Sequence, residues 1–483
     1  MDKNLESDLT NINALLEKVK NCTFDFLENI NKVPAFPDKT NVYSSSQLNS
    51  NGLGGEETLE EFMQRFYKGI VSSGGSRYFG FVTGGTTPAA LMGDWLVSTF
   101  DQNATACDYS SAAKIEEETL YLLRQLFGLS ELFSGAFVTG ATMANFVGLA
   151  IGRQWAAQQL GINPSLDGLY SIPPIKIVSA TPHSSILKVM SMLGMGRNNM
   201  HYIPTIAGRE AIDIEALENY VKELNREPCI VVANAGTVNT VDFDDLKQIG
   251  ELKKKYNFFL HVDGAFGGVA SCSTKYKHFV EGMEEADSIT IDAHKWLNVP
   301  YDSAMQFTKY PQLQLQVFQN NAVYLGEISE TPDFVHLVPE NSRRLRALPV
   351  WFTIKAYGKN GYKEIIERNC ELAQLLSRKI YESKNFKLLS TTRLNVVCFT
   401  ICFCEHTMTL ENIQQFLSLV NEDGGAFFTQ TIYKGKPGMR AAISNWRTEE
   451  RDIEIAWEVL NKAYNSYVKT IMAIDETISN SKP

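Results

Sequence analysis

The stretch FFLHVDGA, residues 258–265, followed by SITIDAHKW, residues 288–296, decides the fold of this chain. Each half is a short, β-rich apolar run that stops abruptly: Phe258 to Val262 at Asp263-Gly264-Ala265, and Ser288 to Ile291 at Asp292-Ala293-His294-Lys295-Trp296. Working outward, Ala136 to Val138, Ile175 to Val178 and Cys229 to Val232 are runs of the same kind, and amphipathic stretches such as Ala144 to Gln158 lie between them. Strands alternating with helices from Ser134 to about Met305 predict an α/β fold built on a doubly wound, mainly parallel sheet.

On the amino-terminal side, Leu5, Leu9, Ile12, Leu16 and Val19 recur at helical spacing, and the Pro-, Ser- and Gly-rich passage from Pro34 to Gly55 reads as a connector. On the carboxyl-terminal side, a helical stretch from Pro349 to Lys384 precedes strand-like Leu394 to Phe403 and a last helix after Thr448, the pattern of a smaller α+β unit. The 483 residues suit about three domains at roughly 150 residues each, and the expected division is 1–84, 85–345 and 346–483.

Composition narrows the function classes. With 45 Lys+Arg against 55 Asp+Glu, a net charge of −10 and no basic block, nucleic acid is not an expected partner. The longest apolar stretches, such as Asn395 to Phe403, fall far short of the roughly 20 residues of a membrane helix, and the polar start Met1 to Thr10 lacks a signal-peptide core. A soluble, cytoplasmic protein is expected. The eight cysteines form no framework and read as reduced thiols. Cys402 and Cys404 lie two apart on a strand with no His or acidic partner at zinc-site spacing, so no metal is expected.

In an open parallel sheet, reactive groups gather beyond the carboxyl ends of the strands. Cys229 to Val232 leads into Asn234-Ala235-Gly236-Thr237, the next run into Asp263, and the third into His294 and Lys295, so an acid, a histidine and a lysine are expected side by side. Upstream, Gly135 to Val138 meets Thr139-Gly140-Ala141-Thr142 and then a helical pattern from Met143. A helix start of this kind offers free N–H groups and the positive end of the helix dipole to an anion, especially a phosphate. Alone, the turn matches neither GxGxxG nor GxxxxGK[ST] and is ordinary. Lysine, carboxylate and phosphate seat together suit pyridoxal phosphate, which needs an amine for its aldehyde, an acid at its ring nitrogen and an anchor. Lys295, Asp263 and Gly140 to Thr142 fill those roles, with His183 and Ala265 as candidates for the two faces of the ring.

The segments Thr139-Gly-Ala-Thr-Met-Ala-Asn145, Pro182-His-Ser-Ser185, Ala235-Gly-Thr237, His261-Val-Asp-Gly-Ala265, Asp292-Ala-His-Lys-Trp-Leu297 and Ser444-Asn-Trp-Arg-Thr448 share one further property. In order and approximate spacing they resemble the group II pyridoxal-phosphate-dependent amino-acid decarboxylases, the family of aromatic-amino-acid and glutamate decarboxylases, over roughly residues 60 to 460. The resemblance implies a fold type I, aminotransferase-like architecture, with a helical segment at 1–84 embracing a partner, a large cofactor domain at 85–345 and a small α+β domain at 346–483. It implies a homodimer with both sites at the interface and a small-molecule amino acid as substrate. It further implies that Lys295 forms the Schiff base, Asp263 pairs with the pyridine nitrogen, His183 stacks on the ring and Ala265 lies beneath it. Gly140, Ala141, Thr142 and His294 would hold the phosphate, and Thr237 would approach the phenolic oxygen.

Some residues depart from the family pattern or have plainer uses. Val238 stands where the family has a second threonine after Ala-Gly-Thr, removing one hydroxyl contact, whereas Gly264-Ala265 keeps the small residue. Thr331 to Arg346 resembles the family's mobile catalytic loop, and Phe334 falls where aromatic-amino-acid decarboxylases carry the tyrosine thought to protonate the carbanion. Phenylalanine has no proton to give, and relatives lacking normal protonation let oxygen intercept the carbanion, forming an aldehyde; His336 or a water could also donate. His261 alternates with Leu260 and Val262 and is expected to be structural or partly exposed; His201, His278 and His406 receive no role. Tyr78, Phe79 and Thr83 to Thr87 resemble a substrate-side segment. Arg440 and Arg447 could bind a carboxylate, although a surface ion pair is the commoner fate of a single arginine.

The expected function is decarboxylation of an L-amino acid to amine and carbon dioxide through Lys295, with Lys295, His183 and Phe334 as the catalytic positions. The aldehyde-forming variant and another fold type I enzyme, such as an aminotransferase, stand beside it. A non-catalytic cofactor-binding dimer comes last.

Overall fold

The two deciding runs are neighbouring parallel strands. The computed structural model describes residues 1–37, 47–106, 110–320, 328, 332–402 and 408–480, without the side chains of 471–480. Cys107, Thr331, Phe403, Cys404 and His406 lie outside the described residues. The large sheet contains β1 (Ser134–Val138), β2 (Lys176–Ser179), β3 (Met200–Tyr202), β4 (Cys229–Asn234), β5 (Phe258–Asp263), β6 (Ser288–Asp292) and β7 (Ala304–Thr308) in the order β1-β7-β6-β5-β4-β2-β3. Neighbours from β6 across to β3 are all parallel. The exception is β7, antiparallel to both β6 and β1, a strand that none of the apolar runs read from sequence included.

Every residue of β4, β5 and β6 is buried, which requires cover on both faces of the sheet. The helix Ala141–Gln159 supplies part of it by lying very close: a Cβ on Gly148 would stand 2.6 Å from the His261 ring. Register then sets the chemistry. Asn234 pairs with Asp263, Asp263 with Thr290, and Asp292 with Ala304, so the carboxyl ends of β4, β5 and β6 finish along one edge.

A second, antiparallel sheet follows, with β8 (Phe386–Leu388), β9 (Val396–Ile401), β10 (Thr429–Tyr433) and β11 (Lys436–Ala442) in the order β10-β11-β9-β8. The helix Ala347–Glu382 serves both cores. It is kinked at Gly358, whose φ of 58° is a conformation glycine adopts cheaply. Ala347, Val350, Tyr362 and Ile366 pack into the large core, whereas Leu372, Leu376 and Ile380 pack with Phe399, Phe416 and Leu460 in the small one. Phe79 crosses over to join that second core.

The helices Lys3–Thr10 and Ile12–Glu28 have no buried residue, and Leu5, Leu9 and Leu16 are each about 60% exposed. Among the described residues no helix is long and apolar enough to cross a membrane. The six described cysteines form no disulfide.

Candidate active site

Beyond the carboxyl ends of the parallel strands lies a cavity of about 700 Å³, within the usual size of a small-molecule site. Lys295, His183, Gly140, Ala141, Thr142, Thr237, Asp263, Ala265 and His294 all line it. Nine of the ten residues singled out from sequence are therefore gathered in one place. Phe334 is the exception.

Lys295 follows β6, and its Nζ stands 3.1 Å from Asp292 Oδ2 at the end of that strand. Its backbone is clamped from behind. Trp296 is fully buried and donates from Nε1 to Asn369 Oδ1 at 2.9 Å. Asn298, also fully buried, accepts from the Gly85 and Trp446 amides on Oδ1 and donates from Nδ2 to the Trp296 and Ser444 carbonyls. Gly84 passes so close that an added Cβ would fall 1.8 Å from the Lys295 carbonyl oxygen. Asn298 escaped the sequence reading, because its importance comes from neighbours far away in the chain; Gly84 belongs to the Thr83 to Thr87 segment read as substrate-side and packs here behind Lys295.

Asp263 ends β5 and is held by a relay. Asn145 Nδ2 donates to Asp263 Oδ2 at 3.0 Å, and the Ala265 amide donates to Oδ1 at 3.2 Å. Because the Asn145 amide group points at the acid, its carbonyl oxygen accepts from His261 Nε2 at 2.9 Å, leaving Nδ1 to accept from the Ser288 hydroxyl at 2.6 Å. His261 is thus fully buried and hydrogen-bonded at both nitrogens, the structural one of its two expected fates. Burial pushes its pKa down to about 4, so the ring is neutral near pH 7.

The anion seat is the start of the helix Ala141–Gln159. Its N-cap, Gly140, is extended and supplies no side-chain cap, so the first amides are left for a ligand. A Cβ on Gly140 would meet His294 Cε1 at 3.1 Å, which keeps this corner free of side chains. His294 accepts from the Ser303 amide on Nδ1 at 3.1 Å and has Nε2 3.2 Å from Asp292 Oδ1. His183 caps the helix Ser184–Met192 through Ser185. Burial lowers the pKa of both histidines.

Pyridoxal phosphate fits this set on the structure's own terms: an amine, a buried carboxylate with a fixed hydrogen-bond shell, and an uncapped helix start beside a neutral histidine open into the same space. Comparison with known proteins agrees. Residues 46–402 match the model of the pyridoxal-dependent decarboxylase conserved domain.

This chain belongs to the pyridoxal-dependent decarboxylase family.

The family's relatives are carboxy-lyases acting with pyridoxal phosphate. The chain is 27% identical to an aromatic-L-amino-acid decarboxylase of Bacillus atrophaeus, over 85% of each. It is 23% identical to a phenylacetaldehyde synthase of Petunia hybrida, over 90% of this chain and 91% of that one. The crystal structure of Oryza sativa TDC with pyridoxal phosphate and tryptamine superposes with a TM-score of 0.87 at 21% identity, covering 95% of this chain and 98% of that one. That likeness establishes the fold type I architecture of this decarboxylase-family chain.

Two further residues shape the site: Glu210, which the sequence reading missed, and Arg440, which it named as a possible carboxylate ligand. Glu210, in the loop between β3 and the helix Ile214–Glu223, projects into the cavity and accepts from the hydroxyls of Thr237 at 2.5 Å and Thr240 at 2.6 Å. Thr240 thereby supplies a hydroxyl two residues beyond Val238. Arg440, on β11, reaches the cavity from the second sheet and donates to the Val238 carbonyl and to Thr429 Oγ1. It forms no ion pair among the described residues, contrary to the commoner expectation. Arg447 likewise lies over the Trp446 ring, 4.4 Å from its centroid.

Phe334 sits on a short 3₁₀ turn, 5% exposed, with the Arg343 guanidinium 5.1 Å from its ring centroid. Arg343 is itself buried against Glu116 at 2.8 Å. In this chain, then, Phe334 is a packing residue away from the cavity. His336 is equally buried and accepts from the Asn320 amide.

Proposed function

We propose that this chain decarboxylates an L-amino acid with pyridoxal phosphate held by Lys295. The observation that carries the reading is that Lys295, Asp263 and the uncapped start of the helix Ala141–Gln159 open into one cavity. When bound, the cofactor supplies an electron sink for the negative charge left at the α-carbon as carbon dioxide departs. The side chains of this chain do the rest. Lys295 provides the amine that carries the cofactor, and Asp292, 3.1 Å away, holds that amine in place before loading. Asp263, oriented by Asn145 and the Ala265 amide, would pair with the ring nitrogen. Gly140, Ala141, Thr142 and His294 would hold the phosphate, neutral His183 and small Ala265 would take the two ring faces, and Thr237 would serve the phenolic oxygen.

An aldehyde-forming outcome is the second reading. Relatives of this chain include both decarboxylases and an aldehyde synthase, and Phe334, packed under Arg343 away from the cavity, supplies no proton to it. The active form is a homodimer whose helices Lys3–Thr10 and Ile12–Glu28 grip the partner; their apolar residues Leu5, Leu9, Ile12, Leu16 and Val19, exposed in the single chain, support this. The division at 1–84, 85–345 and 346–483 and a cytoplasmic setting complete the proposal, the latter supported by the unpaired cysteines.

The test is to incubate purified, cofactor-loaded protein with the common amino acids plus cysteine sulfinate and diaminobutyrate while measuring carbon dioxide, amine, aldehyde and peroxide. Carbon dioxide with amine supports the first reading and aldehyde with peroxide the second. Keto acid without carbon dioxide would replace both with transamination.

A further inference from the structure

The charges around the cavity do not cancel as assigned. Asp292 faces Lys295, Asp263 is assigned to the ring nitrogen, and the helix start to the phosphate. Glu210 and Arg440 remain. They line the same cavity yet make no bond to each other, and neither has an ion-pair partner among the described residues. Glu210 Oε2 takes both short hydroxyl bonds, whereas Oε1 has only a 3.4 Å contact from Asn239 Nδ2. A carboxylate oxygen can accept two hydrogen bonds, so Oε1 retains capacity for a further donor, and Glu210 lines the cavity. Burial pushes the Arg440 pKa down, and Glu210 is among the charges that pull it back up.

An amino acid that has given its amino group to the cofactor still presents a carboxylate and a side chain. Arg440 matches the first. A side chain opposite Glu210 must satisfy a charge that closure of the site would strip of water, and an aromatic ring cannot do so. Among the described residues Phe266 is the one Phe, Tyr or Trp ring in the lining, so the wall they form offers little to an aromatic substrate.

We propose that Glu210 recognises a positively charged side chain, so that the amino acid taken by this site carries a second amino or guanidino group. This rests on the decarboxylase reading for the nature of the site.

The decisive comparison is L-ornithine against L-norvaline, which lacks only the terminal ammonium, with L-phenylalanine and L-glutamate beside them. Binding to the full-length, cofactor-loaded protein is followed by thermal shift and by the cofactor's absorbance, and carbon dioxide is measured separately. We expect ornithine to bind at least about tenfold tighter than norvaline, the order of one charged hydrogen bond. E210Q should erase that ratio, E210D should keep part of it, and E210K should turn the preference toward glutamate. Equal or tighter binding of norvaline or phenylalanine, or an unchanged ratio in E210Q, overturns the proposal. A Glu210-dependent preference for ornithine without carbon dioxide release upholds it and overturns the decarboxylase reading instead.

Discussion

The floor and the far wall of the cavity are built by different means. The floor, with Asp263, His294 and Lys295 and the helix start at Gly140, consists of residues that immediately follow buried strands. Their positions are fixed by sheet register. The far wall, with Glu210, Thr237, Asn239 and Arg440, is assembled from loops and from the second sheet, and is tied together by side-chain bonds. A floor set by register suits chemistry that must not vary. A wall set by loops can change its charge without disturbing the sheet, which is where substrate choice belongs.

Substitutions should separate the two. The largest effect is expected at the floor: K295A should abolish turnover with every amino acid and also the absorbance shift that accompanies covalent attachment of the cofactor. Retention of that band would break the assignment of Lys295. Next comes acid stability. His261, neutral in the fold with a pKa of about 4 against an ordinary 6.5, binds its proton more readily when unfolded. Stability is therefore fully present above pH 6.5 and declines as pH falls toward 4, by up to about 3 kcal/mol. Urea titrations across that window check the slope, which H261Q should flatten.

D263N should lower kcat about a hundredfold, the usual loss when one fixed charge in a site is removed, and equally for all substrates. If the loss depends strongly on the substrate, the division between floor and wall fails. The smallest effect is expected at T240V, which removes one of two short bonds to Glu210. About 1 kcal/mol, or a fewfold rise in KM with kcat unchanged, is the expected result in substrate titrations.

The same division governs what could be read from the amino acids alone. Asp263, His294 and Lys295 were legible because each lies one to four residues past a short, β-rich, mainly apolar run, and a parallel sheet brings such ends together. β7 was not, since Ala304–Thr308 carries a buried Gln306 in its middle and pairs antiparallel, outside the alternating strand–helix pattern. Glu210 lies in a loop with no motif around it, and its place in the site depends on Thr237 and Thr240 folding back across it. Arg440 looked like one more surface arginine until β11 carried it over the cavity. His261 was left between a structural role and partial exposure because strand alternation says which face a residue takes, not that a close helix with Gly148 at the contact will seal that face.

Asn298 carries a consequence for how the polypeptide is made. It joins Gly85 and Trp446, and the Trp446 indole reaches back to the Thr86 carbonyl across 360 positions of chain. On the ribosome, the loop bearing Lys295 is complete long before Trp446 has been synthesised. The nascent protein therefore displays its reactive lysine for many seconds, at about 5–20 residues added per second, before the clamp behind it can close. Closure of the clamp behind Lys295 is a late event of biosynthesis, set by translation of the last part of the chain.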